Sequence, residues 1–276
     1  MRDLRPDRFL SIGLARPLFR YFPTARPSGI PILMYHKIRD GLGARHAYFE
    51  TRTSPSVFER QMQYLQSHGY QTITLNQAID ANSTSVPSKA VVITFDDGYR
   101  DFYTEAFPIL NRLGLSATVF LISGLVGSNT SIAGKTEYMS WNEVRDAYAH
   151  GITFGSHTMT HPQLERLTSE ELDRELDISK RTIESELGTR VYSFSYPNAF
   201  PEHNRKLIDR LRAGLKSFGY ENAVSTLIGT ASCASDPYAL PRLPINSHDD
   251  LHLFQVKLEG AYNWMRQMQS AWKRFA

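Results

Sequence analysis

Short apolar runs alternate with amphipathic helical stretches along most of this sequence, and that alternation restricts the chain to folds built on a parallel sheet. Parallel neighbours cannot be joined by a tight turn, so each return needs a crossover, usually a helix. Ile30 to His36 reads as a first buried strand ending in a histidine, and Ser54 to His68 as a helix with Phe58, Met62 and Leu65 on one face and Gly69 as its stop. Thr72 to Leu75 and the run from Val91 come next as strands, Tyr99 to Leu113 as a helix and Ala117 to Ile122 as a strand. Ser140 to His150 opens on a Ser140-x-x-Glu143 capping box, and Ile152 to Phe154 is a strand running into Gly155-Ser156-His157. A long helix spans Thr168 to Leu187, from the box Thr168-x-x-Glu171 to Gly188. Val191 to Tyr196 is a strand, Pro201 to Arg212 a helix, Ala223 to Thr226 a strand, and Asp249 to Lys273 mostly helix. Such a sheet is open or closed into a barrel, and 276 residues suit one α/β barrel or two small domains. No Pro/Gly/Ser-rich linker divides the chain.

Function in a parallel α/β sheet belongs at the carboxyl ends of the strands, and four chemically loaded clusters fall there. They are His36, Asp96-Asp97, His157 with His161, and Ser195-Tyr196-Pro197-Asn198. The run Val91-Val92-Ile93-Thr94-Phe95 stops at Asp96-Asp97-Gly98-Tyr99, where adjacent carboxylates repel unless a cation or a proton offsets part of their charge. An Asp-Asp-Gly turn is the ordinary alternative. His157 and His161 stand four residues apart, a spacing that brings two imidazoles to one cation if the segment coils through a helical turn. A His-x-x-x-His pair alone serves structural roles as readily. Joined to one carboxylate it becomes an Asp-His-His set, which leaves coordination positions open for water and substrate, as catalytic metal sites do. The second aspartate is then free to accept a proton.

The motifs resemble those of the polysaccharide deacetylases, carbohydrate esterase family 4, which carry the NodB homology domain. Thr94-Phe95-Asp96-Asp97-Gly98-Tyr99 is similar to the first family motif and Ser156-His157-Thr158-Met159-Thr160-His161 to the second, in the expected order. The resemblance implies a distorted (β/α) barrel as a single domain over residues 30–260, preceded by a basic arm (1–29) and succeeded by an amphipathic helix (261–276). It implies Asp96 as general base and Asp97, His157 and His161 as ligands of a divalent metal, most often zinc. Phe194-Ser195-Tyr196-Pro197-Asn198-Ala199 is similar to the third motif but departs from it. The family has arginine where Ser195 stands, orienting the base, and Tyr-Gly where Asn198-Ala199 stand. Arg242 is a candidate replacement for that arginine, with a surface or structural role as its alternative. Asn198 keeps a backbone donor for the oxyanion, and Tyr196 is a candidate sugar contact alongside Tyr138 and Trp141. The family's acid histidine comes after a strand near the carboxyl terminus; here His36 comes after one near the amino terminus. That order resembles the permuted branch acting on poly-N-acetylglucosamine-type exopolysaccharides. His36 is the expected acid and His248 its rival.

The resemblance implies hydrolysis of N-acetyl groups from a glycan, with release of acetate. An O-acetylated or lipid-linked glycan is an alternative substrate, and a non-catalytic carbohydrate-binding barrel an alternative function. The formal charge of +3 is uneven: residues 1–26 carry +4 and 257–276 carry +3, leaving the middle at −4. Nucleic-acid binding is disfavoured, because the basic residues lack an interleaved aromatic platform. Ser123 to Asn129 has glycines but no Lys-Ser/Thr end, so it reads as a rim loop rather than a phosphate cradle. The single Cys233 excludes an intrachain disulfide and a cysteine zinc cluster. Phe9 to Phe22 lacks an uninterrupted apolar core, so the chain is expected to stay in the cytoplasm. Phe9, Leu10, Phe19 and Phe22, with Trp264, Met265, Met268 and Trp272 beside Arg266, Lys273 and Arg274, offer an alternative contact with an anionic membrane. Packing of both ends on the domain is the more ordinary outcome.

Overall fold

Period-two alternation along buried strands decides which side chains line the centre of this molecule. The computed structural model describes residues 5–22, 29–41, 50–80, 86–128 and 137–275. The chain opens with α1 (Pro6–Leu10), a π-helical turn (Ser11–Ala15) and α2 (Arg16–Tyr21). Strand β1 (Ile32–Tyr35), the short pair β2 (Lys37–Ile38) and β3 (Arg52–Thr53), and α3 (Pro55–Ser67) are next. Then come β4 (Gln71–Thr72), α4 (Leu75–Ile79), β5 (Ala90–Phe95), α5 (Phe107–Leu113), β6 (Thr118–Leu121), α6 (Trp141–Ala149) and β7 (Thr153–Ser156). The rest is α7 (Ser169–Leu187), β8 (Ser193–Ser195), α8 (Arg205–Ser217), β9 (Asn222–Ile228), β10 (Leu240–Pro244), α9 (Leu251–Leu258) and α10 (Met265–Phe275).

Strands β5, β6, β7, β8, β9, β10 and β1 are hydrogen-bonded in that order, and β1 pairs back onto β5. Seven parallel strands therefore close a barrel, with β4 attached outside to β5. This is the expected distorted (β/α) barrel. Ile32, Val92, Phe120, Val224 and Leu240 form an inner cluster that Leu75 and Ala78 of α4 close at one end. Leu33, Ile93, Val119, Phe194 and Leu243 point the other way, into the larger core under the helices. Further along the inner faces of β5, β7, β8 and β10, the apolar filling gives way to Thr94, Asp96, His157, Ser195 and Arg242, all buried. Gly155 has no side chain because a Cβ there would lie 2.6 Å from the Phe120 ring and 2.8 Å from the Ser193 carbonyl. Gly155→Ala is expected to cost about 1–3 kcal/mol by overpacking, read as a lower midpoint of denaturant unfolding. An unchanged midpoint would mean that the inner layer is not packed as described.

Several elements differ from the sequence expectation for identifiable reasons. The Thr72–Leu75 strand ends at Thr72, because Thr74 and Gln77 form a capping box that starts α4. The helix expected over Pro201–Arg212 starts at Arg205, where the Asn204 side chain accepts from the Leu207 amide. Tyr99–Leu113 is a π-turn (Phe102–Ala106) leading into α5, and Pro108, which has no amide hydrogen, sits in the first turn of that helix. β10 holds two prolines, a pattern that argues against an interior strand, yet it lies between β1 and β9. Its register shifts between Leu240 and Arg242, so Pro241 falls at the irregularity.

The basic arm is helical from Pro6 to Tyr21 and packs on the domain. Tyr262 donates to buried Asp7 (2.9 Å), Trp264 donates to Ser11 (3.0 Å), and Arg16 pairs with Glu259 (2.9 Å). Arg5 pairs with Asp7 and Arg8 with Asp250, so the arginines of this segment whose side chains are described, Arg5, Arg8 and Arg16, are all paired within the protein. Met265 is buried, while Phe9, Phe22 and Met268 are exposed. No described helix is long and apolar enough to cross a membrane. The ends of the arm, Asn129 of the rim loop and the side chains of Trp272, Lys273 and Arg274 lie outside the described residues. In the carboxyl-terminal helix, Gln269 donates to Thr226 (2.8 Å) and accepts from Ile228 (3.1 Å), completing hydrogen bonds along β9.

Candidate active site

At the carboxyl end of the barrel β5 presents Asp96 and Asp97, and the two carboxylates turn to different partners. Asp96 continues the inner face of β5, whereas Asp97 has φ 75°, a left-handed conformation that turns the chain out of the strand. The residues with positive φ that are not glycine are Asp97, Thr158, His161 and Asn198, among those described. Each costs roughly 1–3 kcal/mol in isolation. All four occur in the motif loops, where the surrounding packing must hold them.

Asp97 meets the two histidines. Its Oδ1 lies 3.4 Å from Nε2 of His157 and 3.6 Å from Nε2 of His161, and the three donor atoms fall within 4.8 Å of one another. Nδ1 of His157 lies 2.8 Å from the carbonyl of Ser195, which can only accept, so Nδ1 carries the proton and Nε2 is the nitrogen that faces Asp97. A metal-ligating histidine is held the same way. The residues present therefore fit a divalent cation. Burial acts to raise the Asp97 pKa, but His157, His36 and His161 outweigh it and hold the carboxyl well below the usual aspartate range. Burial and the neighbouring His157 hold His161 below its ordinary value. For His157 burial is outweighed by Asp96 and Asp97, which draw a proton to it in the metal-free chain. A cation bound here would displace that proton.

Asp96 faces Arg242 instead. The guanidinium reaches both carboxylate oxygens, Nη1 to Oδ1 at 2.8 Å and Nη2 to Oδ2 at 2.7 Å, and is itself fully buried. Its Nε donates to the Ser225 carbonyl (3.0 Å) and Nη1 also to Thr94 (3.2 Å). Ser195 receives a hydrogen bond from Arg242 Nη2 (3.1 Å) and donates to Asp96 Oδ1 (3.1 Å). Burial opposes ionisation of Asp96, but Arg242 and His157 outweigh it and hold the carboxyl below the ordinary value. A serine on β8 leaves the space that a long side chain from β10, two strands away, fills.

The other expected residues separate into those brought to this centre and those kept from it. His36 comes directly after β1, and its Nε2 lies 3.9 Å from Asp96 Oδ2. His248 is exposed beside a cavity of about 190 Å³ lined by Val57, Arg60, Gln61 and the start of α9, and none of the site carboxylates or imidazoles borders that cavity. Asn198 is exposed, and its side chain donates to the Pro162 carbonyl (3.2 Å), tying the third-motif loop to the histidine loop. It borders a cleft of about 910 Å³ between Gln163–Glu165 and Pro197–Lys206. Tyr196 is not available to a sugar: it is 2% exposed, and its hydroxyl donates to the Tyr238 carbonyl (2.8 Å) while its ring packs on Phe194 and Phe200. Tyr138 is likewise buried, against Tyr99. Arg242, also expected at the oxyanion or substrate, is instead fully buried against the Asp96 carboxylate. Sequence reasoning missed Glu175, whose carboxylate holds the histidine loop; its place one turn beyond the Thr168-x-x-Glu171 cap gave no local signal.

A closed parallel barrel with an acid pair, two histidines and a buried arginine at the carboxyl rim has the architecture of a barrel hydrolase. Residues 83–223 match the family described as Polysaccharide deacetylase. The Bacillus subtilis (strain 168) protein YxkH, assigned by name to polysaccharide deacetylases, is 33% identical over 228 residues, 82% of this chain and 75% of that protein. The poly-beta-1,6-N-acetyl-D-glucosamine N-deacetylase of Staphylococcus aureus (strain MSSA476) is 26% identical over 73% of this chain and 70% of its own. The structure of Streptococcus pyogenes deacetylase PplD in complex with acetate superposes with a TM-score of 0.70 at 26% identity, over 88% of this chain and 99% of that one. This chain belongs to the polysaccharide deacetylase family. The matched span contains Asp96, Asp97, His157, His161, Ser195 and Asn198, but neither His36 nor Arg242.

Proposed function

We propose that this enzyme is a divalent-metal-dependent N-deacetylase of polysaccharides containing N-acetylglucosamine, with the poly-N-acetylglucosamine type as its substrate. The observation that carries the reading is the convergence of Asp97, His157 and His161 beside a separately anchored Asp96. The name of the staphylococcal relative supports the choice of glycan. Asp97, His157 and His161 are the residues to hold the ion, most simply zinc given two imidazoles and one carboxylate. A bound ion of this kind supplies Lewis acidity toward the acetamide carbonyl and acidifies water. Asp96 takes a proton from the attacking water, its carboxylate kept in place by Arg242 and Ser195. The Asn198 backbone amide stabilises the negative charge that develops on the carbonyl oxygen. His36 passes a proton to the departing sugar nitrogen as the C–N bond breaks, leaving acetate and a free amino sugar.

The test is acetate release by the purified chain from poly-N-acetylglucosamine and from N-acetylglucosamine oligomers, before and after chelation. Acetate is expected with zinc, lost on chelation and regained on adding the ion back. Release that persists in the fully stripped protein would overturn the metal requirement, and release only from O-acetylated glycans would overturn the substrate.

A further inference from the structure

The histidine loop adopts a conformation that its own sequence disfavours. Thr158 has φ 66° and His161 φ 61°, and a β-branched residue in the left-handed region is a particular outlier. No glycine relieves either position; inside the loop the Thr158 hydroxyl accepts from the His161 amide (3.0 Å), and the rest of the hold comes from outside it. One face is pressed by the segment after β6: the Gly124 amide donates to the Met159 carbonyl (2.9 Å), and a Cβ on Gly124 would lie 2.6 Å from that oxygen. The other face rests on α7. There the amides of Met159 and Thr160 converge on a single oxygen, Glu175 Oε2, at 2.7 and 2.9 Å, and the Thr160 hydroxyl donates to Oε1 at 2.6 Å. One turn further along the helix, Ser179 donates to the Thr158 carbonyl (3.1 Å). Two successive amides pointing at one spot form a nest that favours an anionic acceptor, and Glu175 is the buried carboxylate that fills it.

We infer that Glu175 is the positioning residue of the ligand loop, fixing His161 toward Asp97 and so setting the affinity of the site for its ion. The inference rests on the reading of Asp97, His157 and His161 as metal ligands. Without the carboxylate, the amides of Met159 and Thr160 lose their shared acceptor and the left-handed turns relax. Metal binding must then reorder the loop. Removing such an outer partner costs on the order of 10–100-fold in affinity.

The test uses zinc alone as the probe, with affinity read by competition against a chromogenic chelator. Amide hydrogen exchange of the metal-free chain is monitored at Met159 and Thr160. Glu175→Ala is expected to bind zinc roughly 10–100-fold more weakly. It should exchange both amides faster and recover kcat at saturating zinc with KM unchanged. Lys180→Met, which removes a different buried polar group of α7 that bonds to the Val191 carbonyl, is expected to lower thermal stability and leave zinc affinity as it was. If Glu175→Ala does not fold, Glu175→Gln is read by the same criteria, since it keeps one acceptor oxygen and removes the charge. Zinc affinity within twofold of the original, with unchanged exchange, would overturn the inference while leaving the metal site standing. A wild-type chain that binds no zinc would overturn both together.

Discussion

Arg242→Met should be the most damaging single substitution outside the ligands, because it leaves the Asp96 carboxylate buried without its cation. Both partners are almost wholly buried, and the pair is bidentate. Removing one member of such a pair costs about 3–5 kcal/mol, most of it the desolvation of the charge left behind. Activity is expected to fall as well, by roughly 10²–10⁴-fold, since a base that is protonated or misdirected cannot take the proton. Arg242→Lys supplies a point charge without the fork and is expected to recover part of the stability and little of the rate. The double variant Asp96→Asn, Arg242→Met should be more stable than Arg242→Met alone, because it no longer buries an unpaired charge. Denaturant unfolding of the original chain, the two single variants Asp96→Asn and Arg242→Met, and the double variant gives the coupling. If Arg242→Met unfolds at the original denaturant concentration, the guanidinium does not carry the role assigned to it.

The adjacent aspartates are expected to divide their functions when each is replaced in turn. Under the proposed function, Asp97→Asn weakens the carboxylate that faces two imidazoles, so bound zinc and acetate release should be lost together. Asp96→Asn keeps the shape of the site and the ligand set, so zinc should remain while the rate falls roughly 10²–10⁴-fold. Bound metal per chain, measured beside initial rates, separates the two. Near-normal acetate release by a metal-loaded Asp96→Asn protein would remove Asp96 from the role of base.

Much of this site is legible in the residues themselves. A strand buried on both faces is an apolar run, and the residues just past its carboxyl end must face the rim, so Asp96-Asp97, His157 and His36 are placed at the barrel mouth by sequence alone. Caps set most helix starts, as Ser140 with Glu143 and Thr168 with Glu171 show. Where local reading fails, a competing interaction prevails. Tyr196 reads as a sugar contact, but its hydroxyl finds the Tyr238 carbonyl and its ring finds core, which no neighbour in sequence foretells. Leu240–Pro244 is assigned no strand from the sequence, and it forms β10 with Pro241 at a register shift.

The division tracks the range of the forces involved. The sequence by itself determined the alternation of strands and helices, the inward or outward direction of alternate residues, and the chemical types delivered to the rim, because each depends on a few consecutive residues. Only the tertiary structure decided which cation neutralises which acid. Arg242 lies 146 residues from Asp96 and reaches it because closure of the barrel sets β10 beside β1, which in turn pairs with β5. Glu175 likewise reaches the histidine loop only because α7 packs against β7. A buried charge must be matched by whatever partner the closed fold brings to it, and that partner is set by three-dimensional adjacency rather than by spacing along the chain.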